Sequence, residues 1–178
     1  MRTGGRISPA LDIVTCASFP RDRPSLELDL VRAFRSGDPD AYERVVAMVR
    51  IVLAGSGARL LGRGTIAVAV PGHRAGSRNA ACESLVDRLA AEWLDLVPAP
   101  GVLSRLRDAP EAKAGPGRDL ELEVATLRWA PDLVPAGTRR ILFVDDVVAS
   151  GATLEAAIGA LPASHVLNVV ALAIFRAV

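Results

Sequence analysis

Lysine is almost missing from this chain of 178 residues: its 21 basic residues are twenty arginines and one lysine, Lys113. Aromatic residues are scarce as well, at 4%. The only cysteines, Cys16 and Cys82, are too few and too far apart for a disulfide framework or a zinc ribbon, and read as buried free thiols. Excess charge of one sign is also lacking. A net charge of +1 gives no global field to hold a nucleic acid, so only a local patch would serve. Long apolar runs are absent although the mean hydropathy, +0.31, is high. The most apolar stretch, residues 166–175, is interrupted by Asn168 and falls short of the roughly 20 residues of a membrane-spanning helix. Residues 1–9 carry Arg2 and Arg6, but Asp12 and the polar stretch 19–25 break up any signal-peptide core. A cytoplasmic location is expected. Without repeats or long linkers, the length fits a single domain over 1–178 with a flexible start at 1–9.

Asp38-Pro39 opens a helix, with Asp as N-cap and Pro at the first helical position, and Tyr42, Val45, Val46, Val49, Val52 and Leu53 then recur at helical spacing. Gly55-Ser56-Gly57 resembles a phosphate loop but lacks the Lys-Ser/Thr that should follow, and reads as the stop of that helix. Residues 25–35 fit another amphipathic helix, capped by Ser25, although alternation over 26–31 leaves a strand open. Residues 65–70 and 141–144 are short apolar runs, each followed by a polar, Gly-containing turn and a helical pattern, near 77–93 and 151–161. Strands buried on both faces in a parallel sheet look like this. Further strands are expected at 166–175 and 94–97. The expected fold is α/β, a three-layer, mainly parallel sheet with helices on both faces.

In such a sheet, ligands bind outside the carboxyl ends of the strands. Asp145 and Asp146 stand together at one such end, where their mutual repulsion calls for a ligand, a cation or hydrogen-bond donors. Ala149, Ser150, Gly151, Ala152 and Thr153 then open a helix, and the N–H groups and dipole of its start suit a phosphate. At the other end, Gly72 and Gly76 allow close backbone approach, and Arg74 and Arg78 offer forked donors to phosphate oxygens. His73 beside them serves as an acid, a ligand donor or simply a polar loop residue. His165, just before the last strand, reads as structural. Residues 107–118, rich in Pro, Gly, Ala and charge, read as a mobile surface loop.

Residues 141–153 run as four apolar residues, two acids, two apolar residues and a small, hydroxyl-rich loop. This resembles the 5-phosphoribosyl 1-pyrophosphate (PRPP) signature of the type I phosphoribosyltransferases. The resemblance implies that Asp145 and Asp146 hold the ribose 2′ and 3′ hydroxyls. It also implies that residues 149–153 wrap the 5′-phosphate, and that Gly72, His73, Arg74 and Arg78 take the pyrophosphate. Ala149 stands where the family often has a hydroxyl residue, leaving the loop one side-chain hydrogen bond short. The implied substrate is Mg²⁺-bound PRPP, with Mg²⁺ held mainly by substrate phosphates rather than a protein cage. Pyrophosphate leaves, Arg74 and Mg²⁺ neutralise it, and a nitrogen acceptor takes the phosphoribosyl group. A flexible lid over 103–118, carrying Arg105, Arg107, Lys113 and Arg118, closes the site. Lys113 is placed to meet a phosphate on closure. A small hood over residues 10–35 and the segment after Phe175 covers the acceptor, with Phe19, Phe34 and Phe175 as its aromatic faces. A homodimer is usual in the family.

A wider resemblance, over residues 25–175, is to the competence-protein-F-like (ComF-like) branch. LVRAFRSGDPDAY is similar to its segment of helix, basic residue and Gly, and VAVPGHRAGSRNAACESLVDRLA to its strand, basic loop and helix start. The four-cysteine zinc ribbon common in that branch is missing. Two other readings stand beside the enzyme: a non-catalytic PRPP sensor, and an accessory protein of nucleic-acid metabolism using the arginine-bearing loops.

Overall fold

The computed structural model describes residues 13–93, 95–109, 120–162 and 168–178, and the side chains of 56–60 are left aside. In chain order the elements are β1 (Ile13–Phe19), α1 (Leu26–Ser36), α2 (Pro39–Leu60), β2 (Thr65–Ala69), α3 (Ala80–Ala90), β3 (Leu96–Pro98), β4 (Leu103–Arg105), α4 (Leu120–Ala125), β5 (Leu127–Trp129), β6 (Arg140–Val148), α5 (Ala152–Gly159) and β7 (Asn168–Ala177). Five strands form one sheet in the order β1-β7-β6-β2-β3, and every neighbouring pair in it is parallel. The fold is α/β. Strands β4 and β5 form a separate antiparallel ribbon. No helix among the described residues is long and apolar enough to cross a membrane.

The unbroken apolar runs exist because the sheet is covered on both faces. Along β6, Leu142 and Val144 join a cluster with Phe34, Val45, Leu53 and Leu85 of α1, α2 and α3. The alternating residues Ile141 and Phe143 join a second cluster with Leu154 and Ala157 of α5 and with Leu103, Leu127 and Trp129 of the ribbon. The local signals for α1 and α2 act as expected. Ser25 Oγ accepts a hydrogen bond from the Leu28 amide at 3.1 Å, and Asp38 Oδ1 accepts one from the Ala41 amide at 2.8 Å. Residues 25–35 are therefore helical, not extended.

Four expectations need correction. Gly55-Ser56-Gly57 does not stop α2, which continues to Leu60. The described part of the hood expected over 10–35 is no separate cover: Ile13–Phe19 is an edge strand paired to β7, and α1 packs into the core. Phe19, Phe34 and Phe175 offer no face to a base, because all three are buried, Phe19 edge-on to Phe175 and Phe34 stacked on Tyr42. Finally, the lid expected over 103–118 begins with the ordered strand β4, whose Arg105 is buried. Residues 110–119, with Lys113 and Arg118, lie outside the described residues, as does His165. The two thiols are free, Cys82 buried and Cys16 partly so, and burial pushes the Cys16 thiol up to about 11.

Candidate functional site

Strands β2 and β6 run side by side with Ala69 opposite Val144, and the Val70 amide donates to the Val144 carbonyl at 2.8 Å. Their carboxyl ends therefore bring the two polar loops together, although these lie some seventy residues apart in the chain. Between them is a cleft of about 370 Å³, lined by Gly72, His73 and Arg78 from the first loop, by Asp145 and Asp146 of β6 and Thr153 of α5, and by Arg35 at the end of α1.

Strand β6 runs on through both acids to Val148, so the carboxylates belong to the sheet and are 9% and 6% exposed. The Asp146 amide donates to Asp145 Oδ1 at 2.9 Å. Burial, and then the charge of Asp146, push the Asp145 carboxyl well above the usual range, to about 8. Asp146 is bound on both oxygens by one guanidinium: Arg35 Nη2 donates to Oδ1 at 2.9 Å and Arg35 Nε to Oδ2. That hydrogen bond is the first cause of the raised Arg35 pKa.

Beyond β6, Ala149 and Ser150 are exposed, and Gly151 caps α5 at φ +87°, a conformation that disfavours any residue with a Cβ. Ser150 Oγ accepts a long bond, 3.4 Å, from the Ala152 amide. The first loop is tied down from outside itself. The Gly76 amide donates to the Arg105 carbonyl at 2.8 Å, the Ala75 amide to Asp108 Oδ1 at 2.7 Å, and the Ala109 amide to the His73 carbonyl at 2.7 Å. Arg105 Nε in turn donates to the Gly72 carbonyl at 2.6 Å. A Cβ on Gly72 would meet Ser77 Oγ at 2.9 Å, so any larger residue there would displace the Ser77 side chain.

The cleft thus unites Asp145, Asp146, Thr153, Gly72, His73 and Arg78. Arg78 is held by Glu83, Nε to Oε1 at 2.9 Å and Nη2 to Oε2 at 2.6 Å. Arg74 is exposed, makes no ion pair among the described residues, and sits on the same loop without lining the cleft. Ala149, Ser150, Gly151 and Ala152 adjoin the cleft through the chain rather than as its walls. No group of three or more His, Cys, Asp and Glu among the described residues is set to hold a metal ion.

Sequence reasoning missed two arginines. Arg35 lies 111 residues from Asp146, and in the last turn of a helix it reads as an ordinary partner of the helix dipole. Arg105, expected in the lid, is fully buried, donating to Thr126 Oγ1 at 2.5 Å and Glu123 Oε1 at 3.2 Å as well as to Gly72. No local pattern marks either pairing. Compared with known proteins, the chain matches no family model, and no curated protein is significantly similar to it.

Proposed function

We propose that this chain is a phosphoribosyltransferase of the type I kind, a three-layer domain that transfers the 5-phosphoribosyl group of Mg²⁺-bound PRPP to a nitrogen acceptor and releases pyrophosphate. One observation carries the reading: a single cleft is lined by the acid pair of β6 and Thr153 of α5 on one side and by Gly72, His73 and Arg78 of the first loop on the other. Acceptors for sugar hydroxyls stand beside the start of α5, whose N–H groups favour a phosphate. In this reading the C1–oxygen bond of PRPP breaks with its electron pair on pyrophosphate, and the acceptor nitrogen supplies the pair for the new C1–N bond. Asp145 and Asp146 position the ribose, and Asp146 favours the positive charge developing at C1. Arg74 is the cation at hand for pyrophosphate, because Arg78 must first leave Glu83.

Pyrophosphate release from Mg²⁺-PRPP, measured across purines, pyrimidines and other nitrogen acceptors, is expected from the wild type and absent from Asp145→Asn/Asp146→Asn. Calorimetric titration with PRPP should show the same loss of affinity in the folded double variant; equal affinity in both proteins overturns the ribose-site assignment.

A second reading, a PRPP sensor without transfer activity, is favoured by a separate observation. Residues 13–36 are built into the sheet and core, and Arg78 is already engaged. Mg²⁺-dependent PRPP binding with no pyrophosphate release for any acceptor would select it.

A further inference from the structure

The two acids of the cleft are held by different means. Asp145 accepts from the backbone of its own strand, whereas Asp146 is gripped by a side chain from another element, with both oxygens on one guanidinium. Such a side-on fork fixes the plane of a carboxylate as well as its position. The fork itself is rigidly mounted. The neighbouring residue Phe34 is 1% exposed and stacked on Tyr42, which pins the last turn of α1.

Exposure within this pair is lopsided. The Asp146 side chain is 9% exposed and that of Arg35 52%, and both line the cleft. A tie serving only the core would have no reason to form part of the cleft wall. The fork occupies two of the roughly four lone-pair directions of a carboxylate and leaves the others for a hydroxyl donor.

We propose that Arg35 is the positioning residue through which α1 sets the sugar selectivity of the cleft, holding Asp146 in one orientation so that a vicinal diol is preferred to a sugar lacking one of its hydroxyls. The proposal rests on the phosphoribosyl reading of the same cleft. A site built to bond a hydroxyl rejects the analogue without it, because a buried acceptor is then left unpaired. Once released from Arg35, the Asp146 carboxylate turns to water and that penalty fades.

The test is calorimetry on the full chain with ribose 5-phosphate and 2-deoxyribose 5-phosphate, in the wild type, Arg35→Gln and Arg35→Lys. The wild type should prefer the ribose compound by roughly tenfold or more, the effect of one charge-assisted hydrogen bond. In Arg35→Gln that ratio should collapse toward unity. Arg35→Lys, a point charge without the fork, should restore it in part. The ratio is the readout, since general damage to the fold weakens both sugars alike. No preference in the wild type, or an unchanged ratio in Arg35→Gln, overturns the proposal; if Arg35→Gln does not fold, an unchanged ratio in Arg35→Lys does so. Failure of the underlying reading looks different: the wild type binds neither sugar phosphate, or Asp145→Asn/Asp146→Asn binds both as tightly as the wild type.

Discussion

The pairs Arg105–Glu123 and Arg35–Asp146 join an arginine to a carboxylate in different surroundings. Arg105–Glu123 is sealed, with both side chains 0% exposed, and Arg105 spends further donors on Thr126 and the Gly72 carbonyl. Arg35–Asp146 lies in the cleft wall with its arginine half in water. Taking both partners out of water is costly, so a sealed pair depends on its further hydrogen bonds, and breaking it is strongly destabilising. A pair facing a cleft can exchange partners with water or a ligand. The first pair thus helps to shape the loop over residues 71–78, and the second is open to whatever enters the cleft.

The contrast is easiest to break at Arg105. Arg105→Leu should cost roughly 3–5 kcal/mol in urea unfolding, because buried Glu123 loses its cation, while the paired change Arg105→Met/Glu123→Leu should recover most of that loss. A small effect of the single change would mean that the pair is open to water.

Asp145→Asn sharpens the other side of the comparison. Facing Asp145 are Asp146 on its own strand, Arg35 on α1 and Cys82 on α3. Because its folded pKa is raised, the folded state holds a proton that the unfolded chain gives up above about pH 4. Stability therefore falls as the pH rises from about 4 to about 8, and levels off beyond. Asp145→Asn should flatten that decline and gain on the order of 1 kcal/mol or more at pH 8. Denaturation curves at pH 5 and pH 8 for both proteins provide the check, and parallel losses in the two would refute it.

Gly151→Ala forces a Cβ into the left-handed region and should cost about 1 kcal/mol, with weaker binding of ribose 5-phosphate as the loop shifts. Arg35→Gln should be the mildest for stability, about 1 kcal/mol or less, since its removal opens Asp146 to solvent. A loss as large as that of Arg105→Leu would make both pairs structural ties and erase the distinction.

Much of the sheet and one side of the cleft were legible from local pattern. The apolar runs lie in β2 and β6, and Asp38 and Ser25 cap their helices, whereas the acids lie inside β6, which runs on past them to Val148. Less legible was β1, whose Thr15, Cys16 and Ser18 blur both alternation and continuity; as an edge strand it is only partly buried and needs no unbroken apolar run. The continuation of α2 past Gly55 was likewise not legible. A glycine there costs only about 1 kcal/mol, which the flanking apolar residues of a 22-residue helix outweigh.

By itself, the sequence determined the parallel strands, the helix caps and the pairing of two carboxylates with a small-residue loop, because each depends on neighbours within a few positions. Only the tertiary structure decided which arginines meet which acids. Arg35 and Arg105 carry the same guanidinium, and nothing beside them in the chain separates a cleft wall from a sealed core. Desolvation and partner count separate them, and both are properties of segments that come together only when the sheet closes.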